Sequence, residues 1–293
     1  MRIFLTGAGG FVGRHLVKRL KDHDVTCFVR KDSEHLQGFK TVKGDLKYIA
    51  DVTNSLKDFD VVIHLAANLW VTDNYTMYLD NVVATKNVIE ACKKNNVKRI
   101  ITLSSTSATP DNLSEYGKTK LEADKLIMNS KLDYTILKST MIYGDGGKGF
   151  TRILKHIKKY PIVPIVGHGK TLMQPVYIED VIDVILKCLE NPKAIGKMYN
   201  LAGPKAVTMN ELFDAISLAA TGRRKFKLHI PVHLIYWTMN ILHPFNKKKR
   251  MTKEGVKTFY SDSNLDIAET VKDLNYNPLS LEYGLKKTFL DLL

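Results

Sequence analysis

The chain opens Met1-Arg2-Ile3-Phe4-Leu5-Thr6-Gly7-Ala8-Gly9-Gly10-Phe11-Val12-Gly13. Arg2 to Thr6 is a short apolar run that predicts a buried strand. A glycine-rich turn follows without a spacer. Beyond it Val12, Leu16, Val17 and Leu20 recur at helical spacing. Strand, glycine turn and helix in that order form a phosphate cradle. Glycines let the backbone approach a pyrophosphate, and the helix N-terminus offers it free N–H groups. The usual spacing G-x-G-x-x-G fails, because Val12 stands at its third glycine. Gly7, Gly10 and Gly13 fit G-x-x-G-x-x-G instead. The competing reading, a glycine turn that binds nothing, is decided by the rest of the chain.

Working outward, Val25 to Val29 is a second strand that ends in Arg30-Lys31. At this point an acid takes the ribose hydroxyls of NAD, whereas an arginine accommodates the 2′-phosphate of NADP. Arg30, with Arg14 flanking the same pocket, therefore favours NADP. NAD is the alternative, since Asp32 offers an acid two residues on. Lys40 to Lys43 is a short third strand leading to Gly44-Asp45-Leu46. Val61 to Leu65 is a buried strand ending in Ala66-Ala67, small residues that let a cofactor lie against the backbone. His64 lies inside that strand, where a hydrogen-bonded core histidine is favoured over a catalytic one. A helix is predicted from about Asn81 to Lys94. The strand Lys98 to Leu103 follows, ending in the hydroxyl cluster Ser104-Ser105-Thr106-Ser107, and Asp133 to Leu137 is a sixth strand. Strands alternating with helices predict an α/β fold with a doubly wound parallel sheet.

Composition narrows the function. Of 293 residues 44% are hydrophobic and 25% charged, ordinary values for a globular protein. No secretory signal precedes the first strand, and no apolar run reaches transmembrane length. Cys27, Cys92 and Cys188 have no pair spacing and suit small core residues of a reduced, cytoplasmic protein. The net charge is +14, carried mostly by scattered lysines. The one dense run, Lys247-Lys248-Lys249-Arg250, has no interleaved aromatics, so nucleic acid is not an expected partner. An apolar helix over Pro231 to Pro244 precedes it. Contact with a membrane surface is one reading of this pair; a lobe helix over a substrate pocket is the favoured one.

The chemistry centres on Tyr116-Gly117-Lys118-Thr119-Lys120, which opens a helix running through Leu126. Residues four apart lie on one helical face. A phenol with a pKa near 10 is a poor acid–base catalyst at neutral pH. A fixed ammonium beside it is expected to favour the phenolate and bring the pKa toward the working range.

These residues together resemble the extended short-chain dehydrogenase/reductase family, also called the NAD-dependent epimerase/dehydratase family. The matches run in order: Thr6 to Gly13, Gly44-Asp45-Leu46, His64-Leu65-Ala66-Ala67, Asn81, Ser104-Ser105-Thr106 and Tyr116-x-x-x-Lys120. Later come Ile142-Tyr143-Gly144, Gln174 to Asp180, and Met198-Tyr199-Asn200-Leu201-Ala202-Gly203. The resemblance implies a Rossmann-type sheet with a smaller, discontinuous C-terminal lobe. The dinucleotide-binding domain would cover 1–145, with returning segments near 174–203, and the substrate lobe 146–293. It also implies that Gly7, Gly10, Phe11, Val12, Leu65, Ala66, Ala67 and Asn81 line the cofactor, and that Asp45 and Leu46 hold the adenine edge. Lys120 would bind the nicotinamide ribose, Tyr116 would act as acid–base, and Thr106 would donate a substrate-side hydrogen bond. No metal is implied. The partners would be a small-molecule substrate and, through the helices after Asn81 and Tyr116, a second copy of the chain.

Two departures bear on the substrate. Nucleotide-sugar members of the family usually carry an asparagine past the sixth strand and an arginine before the segment matching Gln174 to Asp180, both on the nucleotide's phosphates. Met141 and Met173 stand at these positions. The expected activity is therefore oxidation or reduction of a less charged carbonyl or alcohol, nearer the steroid- and flavonoid-type reductases. A nucleotide-sugar epimerase is one alternative. The other is a non-catalytic NAD(P)-binding redox sensor or assembly protein.

Overall fold

The computed structural model describes residues 1–69, 73–111, 114–235 and 262–290. The chain divides into two compact units. One comprises Met1–Ser139, Val181–Leu201 and Ile267–Tyr276, the other Thr140–Asp180, Ala202–Asp266 and Asn277–Leu293.

In the first unit the predicted strands form as β1 (Arg2–Thr6), β2 (Asp24–Val29), β3 (Lys40–Lys43), β4 (Val61–His64), β5 (Arg99–Ser105) and β6 (Asp133–Ser139). They join the strand Lys197–Leu201 in a seven-stranded parallel sheet. Its order is Lys197–Leu201, β6, β5, β4, β1, β2, β3. The chain thus winds outward from β1 to β3, then restarts on the other side with β4. That is the doubly wound Rossmann arrangement, and ligands bind beyond the carboxyl ends of the strands where the direction switches, here β1 and β4.

The helices of this unit are α1 (Phe11–Arg19), α2 (Ile49–Ser55), α3 (Asn74–Tyr78), α4 (Ala84–Lys94) and α5 (Glu115–Met128). Phe4, Val62, Ile100 and Ile136 of the sheet form one buried cluster with Val52 and Leu56 of α2, Val88, Ile89 and Cys92 of α4, and Ile127 of α5. Each fully buried side chain of this size contributes about 1.5–3 kcal/mol. The cluster therefore fixes α2, α4 and α5 against the sheet.

The helix predicted to begin near Asn81 begins earlier. Asp73 caps α3, accepting the Thr76 N–H at 2.9 Å, and the chain passes through a π-helical turn, Leu79–Val83, into α4. A π turn inserts one residue into the helical register and is common at functional sites. Here it carries Asp80 and Asn81.

In the second unit a capping box forms. The Thr208 hydroxyl accepts the Glu211 N–H at 3.1 Å, and the Glu211 carboxylate accepts the Thr208 N–H at 2.7 Å. The helix it opens, Met209–Thr221, stops at Gly222 with φ 70°. Helices also form at Lys148–Lys159 and Leu281–Leu290. The parallel pair Ile162–Val166 and Phe226–Ile230 was not predicted. Pro164 sits inside the first run; the second, Phe226-Lys227-Leu228-His229-Ile230, alternates apolar and polar residues as a half-buried strand does, a signal the sequence reading passed over. Past Ile235 the predicted apolar helix toward Pro244, and all of Lys247 to Arg250, lie outside the described residues.

Among the described residues no helix is long and apolar enough to cross a membrane. Cys27, Cys92 and Cys188 are free and buried. Burial pushes their thiols up, Cys27 to about 11 and Cys92 and Cys188 to about 12. They are packing residues rather than nucleophiles.

Candidate active site

The glycine cradle sits at the switch point. Gly7 has φ +75°, and a Cβ there would lie 2.6 Å from the Ala66 nitrogen and 2.7 Å from the Leu65 carbonyl carbon. Its missing side chain lets the turn after β1 meet the end of β4. The Leu65 N–H donates to the Thr6 carbonyl at 3.2 Å, which fixes Leu65, Ala66 and Ala67 beside the turn. Gly13 is equally constrained: a Cβ would strike the Gly7 carbonyl oxygen and lie 2.6 Å from Ala8 Cα. Gly9 differs, since a Cβ there would meet nothing within 4 Å. The α1 N-terminus begins at Gly10 with no side-chain cap and no acid in its first turn. The turn is thus tight behind and open in front. The amides of Phe11, Val12 and Gly13 head an uncapped helix, which fits a dinucleotide pyrophosphate.

Behind the cradle His64 is buried. Its Nδ1 lies 2.8 Å from the Thr6 hydroxyl and its Nε2 3.1 Å from the Thr85 hydroxyl. Burial, reinforced by the Lys120 ammonium, lowers its pKa from 6.5 to about 3. It is a neutral core histidine that ties β1 and β4 to α4. Between 6.5 and about 3 only the unfolded chain takes up this proton, so the fold loses stability as pH falls through that window. The expected slope is about 1.4 kcal/mol per pH unit. Denaturant titrations stepped downward from neutral pH should show it in the wild type, with a shallower slope in His64→Gln. Parallel slopes would refute the assignment.

The residues expected at the adenosine end lie beyond β2 and β3. Arg30 is well exposed, with Nη1 3.8 Å from Asp80 Oδ1. Asp45 accepts the Lys47 N–H at 3.0 Å, and the Leu46 carbonyl accepts from Asn87 Nδ2 at 2.8 Å. Asp32, the acid that kept NAD open in the sequence, pairs with Lys43 at 2.7 Å. Asn81 is buried, and its amide donates to the Asn68 carbonyl at 3.2 Å and the Thr119 hydroxyl at 3.1 Å. Its Oδ1 accepts the Asn68 N–H at 2.7 Å. Both amide hydrogens are used inside the protein, so Asn81 positions the loop after β4 against α5.

The pair expected to be catalytic, Tyr116 and Lys120, lies on α5. Ser114 caps the helix, accepting the Gly117 N–H at 3.0 Å. Lys120 is 5% exposed, and its Nζ donates to the Leu103 carbonyl of β5 at 3.0 Å. Burial lowers its pKa, and the Asp124 carboxylate opposes that shift. The Tyr116 phenol is pushed up to about 12, first by burial, with Asp124 adding to the rise and a hydrogen bond from Ser105 opposing it. This corrects the expectation that Lys120 brings the phenol toward neutrality. The lysine is spent on a strand carbonyl, and loss of water dominates. At neutral pH the protein alone holds a protonated tyrosine, a proton donor.

The hydroxyl paired with Tyr116 is that of Ser105. Thr106 sits next to it at the end of β5, its N–H donating to the Ser139 carbonyl at 3.0 Å. Asp124, one helical turn past Lys120, is buried. It accepts from the Ser104 hydroxyl at 2.6 Å, and its Oδ1 has no hydrogen-bond partner. Sequence reasoning missed both residues. The spacing Tyr116, Lys120, Asp124 carried the signal for the second, since i, i+4 and i+8 share one helical face. Among the described residues no cluster of histidine, cysteine and carboxylate could hold a metal ion.

Comparison with known proteins fits this geometry. The model of the NAD dependent epimerase/dehydratase family matches residues 3–202. The mitochondrial NADH dehydrogenase (ubiquinone) 1 alpha subcomplex subunit 9 of Dictyostelium discoideum is 28% identical, over 95% of this chain and 81% of that protein. The UDP-glucose 4-epimerase of Vibrio cholerae is 27% identical over 98% and 94%. The 2-alkyl-3-oxoalkanoate reductase of Shewanella oneidensis is 26% identical over 97% and 84%. Among solved structures, the UDP-glucuronic acid 4-epimerase of Bacillus cereus in complex with NAD superposes with a TM-score of 0.79. It is 23% identical, with 100% of this chain and 99% of that one covered, a likeness of fold.

Proposed function

The chain belongs to the NAD dependent epimerase/dehydratase family of oxidoreductase- and epimerase-type enzymes, and within it we propose an NADP-preferring reductase or dehydrogenase acting on a weakly charged carbonyl or alcohol. The observation that carries this reading is the half-buried, protonated Tyr116, hydrogen-bonded to Ser105 and one turn from buried Lys120. When bound, the nicotinamide dinucleotide supplies or accepts the hydride. The chain supplies the rest. The α1 N-terminus and its glycines orient the pyrophosphate. Tyr116 Oη gives its proton to the carbonyl oxygen as that oxygen becomes an alcohol, and takes one back in the reverse direction. Ser105 and Thr106 offer hydroxyls to the same oxygen, and Lys120 holds the ribose side.

The substrate class rests on Met141 and Met173, apolar where nucleotide-sugar members carry phosphate-binding polar groups. The similarity to a 2-alkyl-3-oxoalkanoate reductase supports it. Comparable similarity to a UDP-glucose 4-epimerase favours a second reading, epimerisation of a nucleotide sugar. A reducing, cytoplasmic setting belongs to the proposal, supported by three free buried thiols. Turnover assays on apolar ketones and 3-oxo acids, run beside UDP- and dTDP-sugars, test it. Turnover of the ketones is the expected result; micromolar binding and turnover of a nucleotide sugar would promote the epimerase.

Arg30 supports the cofactor preference. A charge-assisted contact to phosphate contributes about 1.5–3 kcal/mol, roughly tenfold or more in affinity. Calorimetry should show NADP bound more tightly than NAD, with the difference lost in Arg30→Ala. Equal affinities in the wild type, or a preference untouched by the substitution, would overturn it.

A further inference from the structure

At the adenosine end four charged groups alternate in sign. Arg30 Nη1 lies 3.8 Å from Asp80 Oδ1, and Lys47 Nζ lies 4.0 Å from the same oxygen. Lys47 Nζ is also 3.4 Å from Asp45 Oδ2. The carboxylates are the fixed members. Asp80 is 10% exposed, and its Oδ2 accepts from Asn68 Nδ2 at 2.7 Å. Asp45 is held through its other oxygen by the Lys47 N–H at 3.0 Å. The cations are the adaptable members. Arg30 is 61% exposed, and neither it nor Lys47 approaches Asp80 to hydrogen-bond distance.

We propose that Asp80 sets the dinucleotide selectivity of this protein, by competing with an adenosine 2′-phosphate for Arg30 and Lys47. The acid that β2 lacks at its end is supplied from the π turn, 50 residues further along the chain. A phosphate drawn to Arg30 must displace a carboxylate that cannot withdraw, and then sit beside its negative charge. A ribose 2′-hydroxyl meets no such repulsion and can donate to Asp80. Arg30 and Lys47 attract NADP while Asp80 holds the preference down, so the selectivity is a difference of opposed terms. Lys47 is thereby assigned as a second phosphate ligand. The inference rests on the reading that this site takes a nicotinamide dinucleotide.

Calorimetry with NADP⁺ and NAD⁺ tests it on the wild type, Asp80→Asn, Asp80→Ser and Lys47→Ala. The serine variant keeps an acceptor for Asn68 should the asparagine variant fold poorly. Both Asp80 variants should raise the ratio of NADP to NAD affinity by about tenfold, an effect that shrinks as salt is added. Lys47→Ala should weaken NADP several-fold and leave NAD within about twofold. An unchanged ratio in folded Asp80 variants, or an equal loss of both dinucleotides in Lys47→Ala, would overturn the inference. A wild type that binds NAD more tightly would refute the NADP preference proposed above while leaving the Asp80 ratio as its own test. A wild type that binds neither dinucleotide would overturn both.

Discussion

Tyr116→Phe is expected to lower turnover by about two to four orders of magnitude on any substrate the enzyme accepts, with dinucleotide affinity nearly unchanged. The substitution removes one oxygen from a half-buried ring and leaves the ring's packing. What is lost is the proton. With its pKa pushed up to about 12, the phenol stays protonated at neutral pH and is available to a developing alkoxide. The same burial predicts how the loss divides. Because the phenol's role is at the transition state, kcat should fall far more than KM rises. Lys120→Ala should damage both turnover and dinucleotide affinity, and Thr106→Ala should cost less than Tyr116→Phe. Steady-state kinetics beside calorimetry separate these effects. Near-normal turnover in Tyr116→Phe would remove Tyr116 from the chemistry.

The second large effect concerns Gly13→Ala. A single methyl there would strike the Gly7 carbonyl oxygen and lie 2.6 and 2.9 Å from backbone atoms of Ala8. Backbone on a buried turn between β1 and α1 cannot yield as a side-chain end can. The expected loss is about 4 kcal/mol or more, in the range reserved for severe steric conflicts. Gly9→Ala is the control, because a Cβ there meets nothing within 4 Å. It should leave folding stability within about 0.5 kcal/mol. It should still weaken dinucleotide binding, because the proposed pyrophosphate site is on the open side of the turn. Denaturant melts and dinucleotide titrations of both variants check this. Equal stability of the two would mean that the turn is not the rigid support described here, and full cofactor affinity in Gly9→Ala would move the pyrophosphate elsewhere.

Much of the framework was legible because it is written in local periodicity. Six strands of the sheet lie within one or two residues of the runs that predicted them; the interior ones read as apolar stretches because a parallel strand is buried on both faces, whereas β3, Lys40-Thr41-Val42-Lys43 at the sheet edge, is mostly exposed. The capping box of Thr208 and Glu211 is likewise local, its two residues three apart in the chain. The pair Ile162–Val166 and Phe226–Ile230 escaped notice for the converse reason. Ile162–Val166 carries a proline between its two buried positions, Phe226–Ile230 has no buried position at all, and the two lie about 60 residues apart.

The site divides along the same line. Gly7, Gly10 and Gly13, the small residues after β4, and Tyr116 with Lys120 could be read directly, because turn sterics and the i, i+4 geometry of a helix are settled within a few residues. The electrical state of the site could not. Lys120 was expected to draw the Tyr116 phenol down, and burial instead holds it up, because desolvation sums over every segment packed around the ring. Ser105 on the phenol, Asp124 with its unpartnered oxygen, and Asp80 facing Arg30 depend on elements far apart in the chain. The amino-acid sequence alone determined the order of elements, the glycine turn ahead of α1 and the spacing of Tyr116 and Lys120, all short-range matters. Only the tertiary structure decided which charges share a corner and which groups lose their water, because both depend on distances between atoms that the sequence separates by tens of residues.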